Sequence, residues 1–232
     1  MIDVRPFDSL GAADHGGLDA RHHFSFASYH DPARTNWGQL RVWNDDTIAP
    51  HSGFPPHPHR DMEIITYVRK GAITHEDDTG NKGRTVAGDV QVMSAGTGIA
   101  HSEYNREDEE TQIFQIWIIP DARGGQPSWG TRPFPKDDRA GRFVTLASGI
   151  AGDEGSLPIR THARVLGATI RAGETVTYRT TPDRHLYLVP ATGSVRIEDS
   201  EVHARDGAAI TGVDRVEIIA LADSEIVLVD AR

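Results

Sequence analysis

The sequence predicts an all-β protein made of two β-barrel domains, and three observations carry that expectation. Apolar residues come in short alternating or β-branched runs spaced at roughly ten residues, with turn residues between them. No segment holds a 3.6-residue apolar period over the length of a helix. One strand–turn–strand pattern recurs in the two halves of the chain, as a duplicated β unit would leave it.

In the first half the runs are Leu40-Arg41-Val42-Trp43, Glu63 to Val68, Asp89 to Met93 and Gln112 to Ile119; in the second they are Arg164 to Ile170, His185 to Val189, Ser194 to Ile197 and Glu225 to Val229. The repeat aligns Glu63-Ile64-Ile65-Thr66-Tyr67-Val68-Arg69-Lys70-Gly71 with His185-Leu186-Tyr187-Leu188-Val189-Pro190-Ala191-Thr192-Gly193. Each copy is a strand running into a Gly turn, followed by a second short strand. Between the copies lies a Pro/Gly/Asp-rich stretch, Gly124 to Asp138, which reads as the linker. It places the domain boundary near residue 135, with one domain over 1–135 and a second over 136–232. The pattern leaves open whether the first strand crosses to the second barrel.

The chain has 232 residues and no cysteine. Disulfides, thiol nucleophiles, iron–sulfur clusters and thiolate zinc sites are therefore excluded, and any metal must be held by His, carboxylate or water. The formal net charge of −10, with no basic face in the sequence, argues against direct nucleic-acid binding. The acidic run Glu107-Asp108-Glu109-Glu110 reads as a surface loop. Apolar runs fall short of the ~18–20 residues of a membrane span. Residues 1–6 lack a basic patch followed by an apolar core, so the cytoplasm is the expected location.

The twelve histidines are unevenly placed. His57-Pro58-His59 is an H-x-H pair and His101-Ser102-Glu103 an H-x-E pair. Residues i and i+2 of a strand point to one face, so each pair aims two metal-competent side chains the same way. Two such strands facing each other across a barrel would give a four-ligand site. Imidazole and carboxylate together suit Fe, Mn, Co, Ni, Cu or Zn, with open positions left for a ligand. Glu63 is open to two readings, as a further inward ligand or as a group outside the site. His22, His23 and His75 lie in polar surroundings and read as surface groups or as supports behind the ligands. His162, His185 and His203 have no paired partner. The turn Glu76-Asp77-Asp78-Thr79-Gly80-Asn81 reads as a hairpin, since it lacks the closing Glu of a calcium loop.

Three stretches give the chain a family resemblance: Leu18 to Tyr29; His57-Pro58-His59-Arg60-Asp61-Met62-Glu63 with the strand to Val68; and Met93-Ser94-Ala95-Gly96-Thr97-Gly98-Ile99-Ala100-His101-Ser102-Glu103-Tyr104-Asn105. The chain resembles the pirins, a branch of the cupin superfamily, and is most similar to bacterial pirin-like quercetin dioxygenases. The resemblance implies a bicupin, two stacked jelly-roll barrels, with one divalent transition metal, iron first, held by His57, His59, His101 and Glu103. It leaves Glu63 outside the ligand set. In the second half the positions matching His57 and His59 are Arg179 and Thr181, which cannot bind metal. The implied activity is quercetinase-type cleavage of a flavonol by O2 with loss of carbon monoxide, with Glu103 as general base. Phe54, Met62, Phe114 and Trp117 are expected to contribute an apolar mouth. The alternatives are a metal-dependent redox regulator that binds a protein partner, or a cupin enzyme acting on another small molecule.

Overall fold

The computed structural model describes residues 1–232 and is built from strands joined by turns, with three short 3-10 segments. The strands of the first half are β1 (Ile2–Arg5), β2 (Gly11–Asp14), β3 (Leu18–His22), β4 (Leu40–Ile48), β5 (Gly53–His59), β6 (Glu63–Lys70), β7 (Ala72–Asp77), β8 (Lys82–Val86), β9 (Val90–Ser94), β10 (Ile99–Tyr104), β11 (Thr111–Ile118) and β12 (Ser128–Arg132). Those of the second are β13 (Val144–Ser148), β14 (Leu157–Pro158), β15 (Arg164–Ile170), β16 (Thr175–Arg179), β17 (His185–Thr192), β18 (Ser194–Ile197), β19 (Ser200–His203), β20 (Gly207–Thr211), β21 (Arg215–Ala220) and β22 (Ser224–Ala231). No helix is long and apolar enough to cross a membrane.

At the level of topology the duplication seen in the sequence extends over eight consecutive strands of each half. One seven-stranded sheet has the order β12-β9-β6-β11-β4-β3-β2 and closes against the four-stranded sheet β5-β10-β7-β8; the other has the order β1-β20-β17-β22-β15-β13-β14 and closes against β16-β21-β18-β19. Strands β4 to β11 therefore map one to one onto β15 to β22. The Gly turns of the repeat, Gly71 and Gly193, both take left-handed backbone, at φ 73° and 76°. A Cβ at either would collide with the neighbouring chain, at 2.6 Å from Thr111 and 2.3 Å from Asp223.

One detail departs from the sequence reading, and one that it left open is answered. The stretch taken as linker carries β12, which pairs with β9 at the edge of the first barrel. The N-terminal strand does cross over: Ile2–Arg5 pairs with Gly207–Ile210, occupying on β20 the edge that β12 occupies on β9.

The two seven-stranded sheets pack face to face. Because side chains alternate along a strand, Trp43, Ile65, Tyr67, Phe114 and Ile116 leave the first barrel and meet Val165, Tyr187, Val189, Val227 and Val229 of the second. This cluster of 24 buried residues exceeds the 17 that fill the second barrel. The barrels are thus held by a core larger than either interior, not by a linker. Asp45 adds a polar tie: its buried carboxylate accepts from Arg69 of the first barrel and, at 2.6 and 3.1 Å, from Arg205 of the second.

The opposite faces of the same strands set the two interiors apart. Seventeen apolar residues fill the second barrel. The first has only two apolar clusters of four, around Ile48 and Ile64. Between them the wall is polar, with Asn44, Asp46, Thr66, His75, Gln91, His101, Glu103 and Gln115 all buried.

Candidate metal centre

Three adjacent strands of the four-stranded sheet supply the site. β10 pairs with β5 so that His101 lies opposite His57, and with β7 so that His101 lies opposite Asp77 and Glu103 opposite His75. Side chains directly opposite share a face. The H-x-H and H-x-E pairs thus sit on hydrogen-bonded neighbours, not across the barrel from each other as the sequence reading had it. β5 is the sheet edge, which is why its prolines Pro55, Pro56 and Pro58 are tolerated.

Ligand atoms of His57, His59 and His101 all lie within 4.8 Å of one another, and His57 Nε2 is 3.1 Å from His101 Nε2. Hydrogen bonding assigns the tautomers. His57 Nδ1 lies 2.7 Å from the carbonyl of Pro55, which can only accept, so that nitrogen carries the proton and Nε2 a lone pair. On the other side His75 Nε2 donates to Asp77 Oδ2 at 2.9 Å, which leaves His75 Nδ1 as an acceptor. His101 Nδ1 donates to it at 3.3 Å, so His101 Nε2 also presents a lone pair. Two lone pairs facing each other at this distance repel unless an electrophile lies between them. The donor set therefore fits a cation of the imidazole-binding class.

The electrostatics keep these rings ready for a metal. Burial, with His57 next to it, lowers His59 to about 4. Burial, then the neighbouring His57, His59 and His75, hold His101 well below the ordinary value. Both stay neutral near pH 7, so binding an ion there need not displace a proton from them.

Glu103 lies deeper than the three histidines. Its carboxylate groups within 4.8 Å of His75 and His101 and is fully buried. Oε1 accepts from Thr66 Oγ1 at 3.2 Å and Gln91 Nε2 at 2.6 Å, and Oε2 from Gln115 Nε2 at 2.5 Å. Burial pushes it up to about 7 against the downward pull of these three donors.

The structure decides between the readings left open for several side chains and corrects others. His22, His23 and His75 are buried, which removes the surface reading. His22 bonds Asn44, His23 bonds Tyr187 of the second barrel, and His75 backs His101. Glu63 points away from the histidines and accepts from Ser94 Oγ at 2.6 Å and the Arg160 amide at 3.1 Å. Phe54 and Trp117 line a cavity of about 620 Å³ that reaches His57 and His59. Phe114 and Met62 do not: Phe114, one residue out of phase with Gln115, faces the other barrel, and Met62 packs with Ile64 and Met93. The pair that sequence reasoning missed is His75-Glu76-Asp77. It has the same i, i+2 spacing as the other two, and that spacing was the available signal.

In the second barrel His162 bonds Arg184, His185 packs edge-on against Trp37, and His203 is exposed on β19. The three converge on no common point. Replacing all three is expected to leave metal content unchanged by elemental analysis; loss of an equivalent in that variant would place a second site here.

An all-β pair of stacked barrels, one with an apolar interior and one with imidazoles converging beside a cavity, defines a bicupin with a candidate metal centre in its N-terminal barrel. Comparison with known proteins agrees. The pirin family model matches residues 4–118, and the model described as quercetinase C-terminal cupin domain matches residues 145–231. A pirin-like protein of Caulobacter vibrioides is 68% identical over 231 residues, covering 100% of both chains. A protein of Escherichia coli named quercetin 2,3-dioxygenase is 38% identical, over 99% of this chain and 98% of its own. The solved structure of bacterial pirin YhhW from Escherichia coli in complex with nickel(II) superposes with a TM-score of 0.93 at 38% identity, covering 100% of this chain and 99% of that one. The chain belongs to the pirin family.

Proposed function

We propose that this protein is a metal-dependent dioxygenase that cleaves the heterocycle of quercetin-like flavonols with O2, releasing carbon monoxide. In this reading His57, His59, His101 and Glu103 hold one divalent ion, iron first among the candidates, within residues 1–135. Residues 136–232 form most of the second barrel, which packs on the outward face of the first and contributes no residue to the cavity lining. The carrying observation is the convergence of unprotonated imidazole nitrogens at the end of a cavity large enough for a flat ligand, within the roughly 300–1,000 Å³ usual for small-molecule sites. The cavity's aromatic wall supports a planar substrate: Phe26 and Trp117 meet edge to face at 5.3 Å, and Trp117 stands edge-on to His59 at 4.9 Å.

A bound divalent ion supplies Lewis acidity, favouring the ionised, electron-rich form of a flavonol. The chain's own groups do the remainder. Phe26, Phe54 and Trp117 exclude water and orient the rings. Glu103 takes the 3-hydroxyl proton: Oε2 has one donor, Gln115, and so keeps a free lone pair. Burial raises this carboxyl to about 7 without an ion; a bound ion lowers it, so the base role requires the Glu103–metal bond to loosen when substrate enters. Asp77 and His75 fix the His101 ring and its tautomer.

The test is turnover of a flavonol panel under O2, with the metal identified by elemental analysis. Steady depside and carbon monoxide formation supports the proposal. A stoichiometric redox change of the metal without turnover would instead favour a sensor. The supporting shell has its own expected result: Asp77→Asn should weaken metal binding about 10–100-fold with the histidines untouched. Metal competition with a chromophoric chelator reads it directly, and unchanged affinity would refute a role for the relay.

A further inference from the structure

Seven acidic residues are buried as a whole: Asp45, Asp46, Glu63, Glu103, Asp206, Glu225 and Asp230. Six have donors. Asp45 has Arg205, Glu63 has Ser94, Glu103 has its two glutamines, Asp206 has backbone amides, Glu225 has Lys136 and Asp230 has Arg184. Asp46 has none: it is 1% exposed and both of its oxygens lack a hydrogen-bond partner. It also lines the cavity that reaches His57 and His59, on the same face of β4 as Asn44.

We propose that Asp46 is the residue through which this cavity recognises an oxygen atom of a planar, hydroxylated aromatic ligand. The ligand class rests on the flavonol reading above; the role of Asp46 rests on its own placement. A buried polar group without a partner is costly, and evolved interiors keep one where a ligand completes it. Burial, together with the like charges of Asp45 and Glu103, holds the Asp46 carboxyl well above the usual carboxylate range, with Arg69 only partly opposing. In the protonated form that this favours, the carboxyl is a donor, and its complement is an acceptor oxygen, a ring carbonyl or phenolic oxygen, presented between Phe26, Phe54 and Trp117. Asp45, next in sequence, shows the contrast: it points out of the barrel into two arginines and is satisfied.

The test is anaerobic binding of a flavonol and of analogues lacking one oxygen at a time, to the metal-loaded wild type and to Asp46→Asn and Asp46→Leu. Asn keeps an N–H donor and should retain affinity within a few fold; Leu should lose about tenfold or more. One analogue should bind wild type about as weakly as the parent binds the Leu variant, and that analogue should be indifferent to the Leu substitution. Melting temperature is the second readout. Removing an unpartnered carboxyl should raise it, whereas removing a structural one would lower it. Equal parent affinity in Leu and wild type, a lowered melting temperature with uniform loss across all analogues, or no binding of any planar phenol to wild type would each overturn the proposal. Asp46-dependent binding without turnover once O2 is admitted would overturn the flavonol reaction while leaving the recognition role standing.

Discussion

Replacing His57 and His59 together with Ala is expected to take the protein from about one bound ion per chain to almost none, since losing two of four first-row-metal ligands reduces affinity by orders of magnitude. The two rings belong to edge strand β5 and are only partly buried. Their loss leaves untouched the interbarrel cluster and the hydrogen bonds of His101 to His75 and of Glu103 to its three donors. Far-ultraviolet circular dichroism and the metal-free melting temperature should therefore stay close to those of wild type. It also ends the repulsion between the facing Nε2 lone pairs, so the metal-free variant should be no less stable than metal-free wild type. Elemental analysis after dialysis is the measurement. Full occupancy in the double variant would remove the proposed centre, and a collapsed fold would show that these rings are structural instead.

How the site could be read from sequence follows from strand parity. Spacing by two puts His57 with His59 and His101 with Glu103, and no fold is needed to see it. What parity does not give is which strands are neighbours. That came only with the pairing of β10 to both β5 and β7, and the same pairing revealed Asp77 and His75 behind His101. Parity without register also misassigned Phe114. Ile113 and Gln115 face the first barrel's interior, so Phe114 must face the other way, but an apolar residue beside a site looks the same on either face. The run Asn44-Asp45-Asp46 hid most. Acidic and amide residues are depleted in strands, so β4 looked finished at Trp43, yet it continues to Ile48. Both faces of that extension are buried: Asp45 meets arginines between the barrels and Asp46 meets the cavity. Polar residues can continue a strand when each face offers a distinct polar environment, and that environment is tertiary.

The pairing of an active and a silent barrel has the same origin. Strands β4 to β11 and β15 to β22 share one topology, so the backbone does not distinguish them. The inward positions do. In the second barrel they carry Val176, Tyr178, Leu186, Leu188, Ile218 and Leu228, which pack without polar atoms to satisfy apart from the Tyr178 hydroxyl, bonded to Asp230 at 2.6 Å. In the first they carry amides, imidazoles and carboxyls that, Asp46 apart, largely satisfy one another. The first barrel gives up apolar burial for a polar interior, and the large core shared with its apolar partner offsets that loss.

Glu103→Gln is expected to keep most of the metal and lower flavonol turnover by about 10²–10⁴-fold, the range for loss of a general base. The substitution is not silent structurally. Glu103 receives three donors and offers none, so a Gln amide nitrogen must oppose at least one of them. Flipping Gln115 would break its bond from Trp117 Nε1 at 3.2 Å, and flipping Gln91 its bond from Thr85 at 3.2 Å. One buried hydrogen bond is lost either way, at a cost of about 1–3 kcal/mol in stability, so the variant should melt lower while remaining folded. The proton balance separates the roles further. Because burial raises Glu103 from 4.5 to about 7, the metal-free protein holds a proton there between those values that the unfolded chain has released. The stability contributed by this group therefore falls as pH rises through that window. A divalent ion beside the carboxylate favours its charged form, so at pH 6 metal binding should release close to one more proton per ion in wild type than in Glu103→Gln, read by calorimetry in buffers of different ionisation enthalpy. Equal proton release with normal turnover would show that Glu103 neither meets the metal nor acts as the base. Metal content and turnover that fall together, and return together on adding metal, would make it a ligand alone.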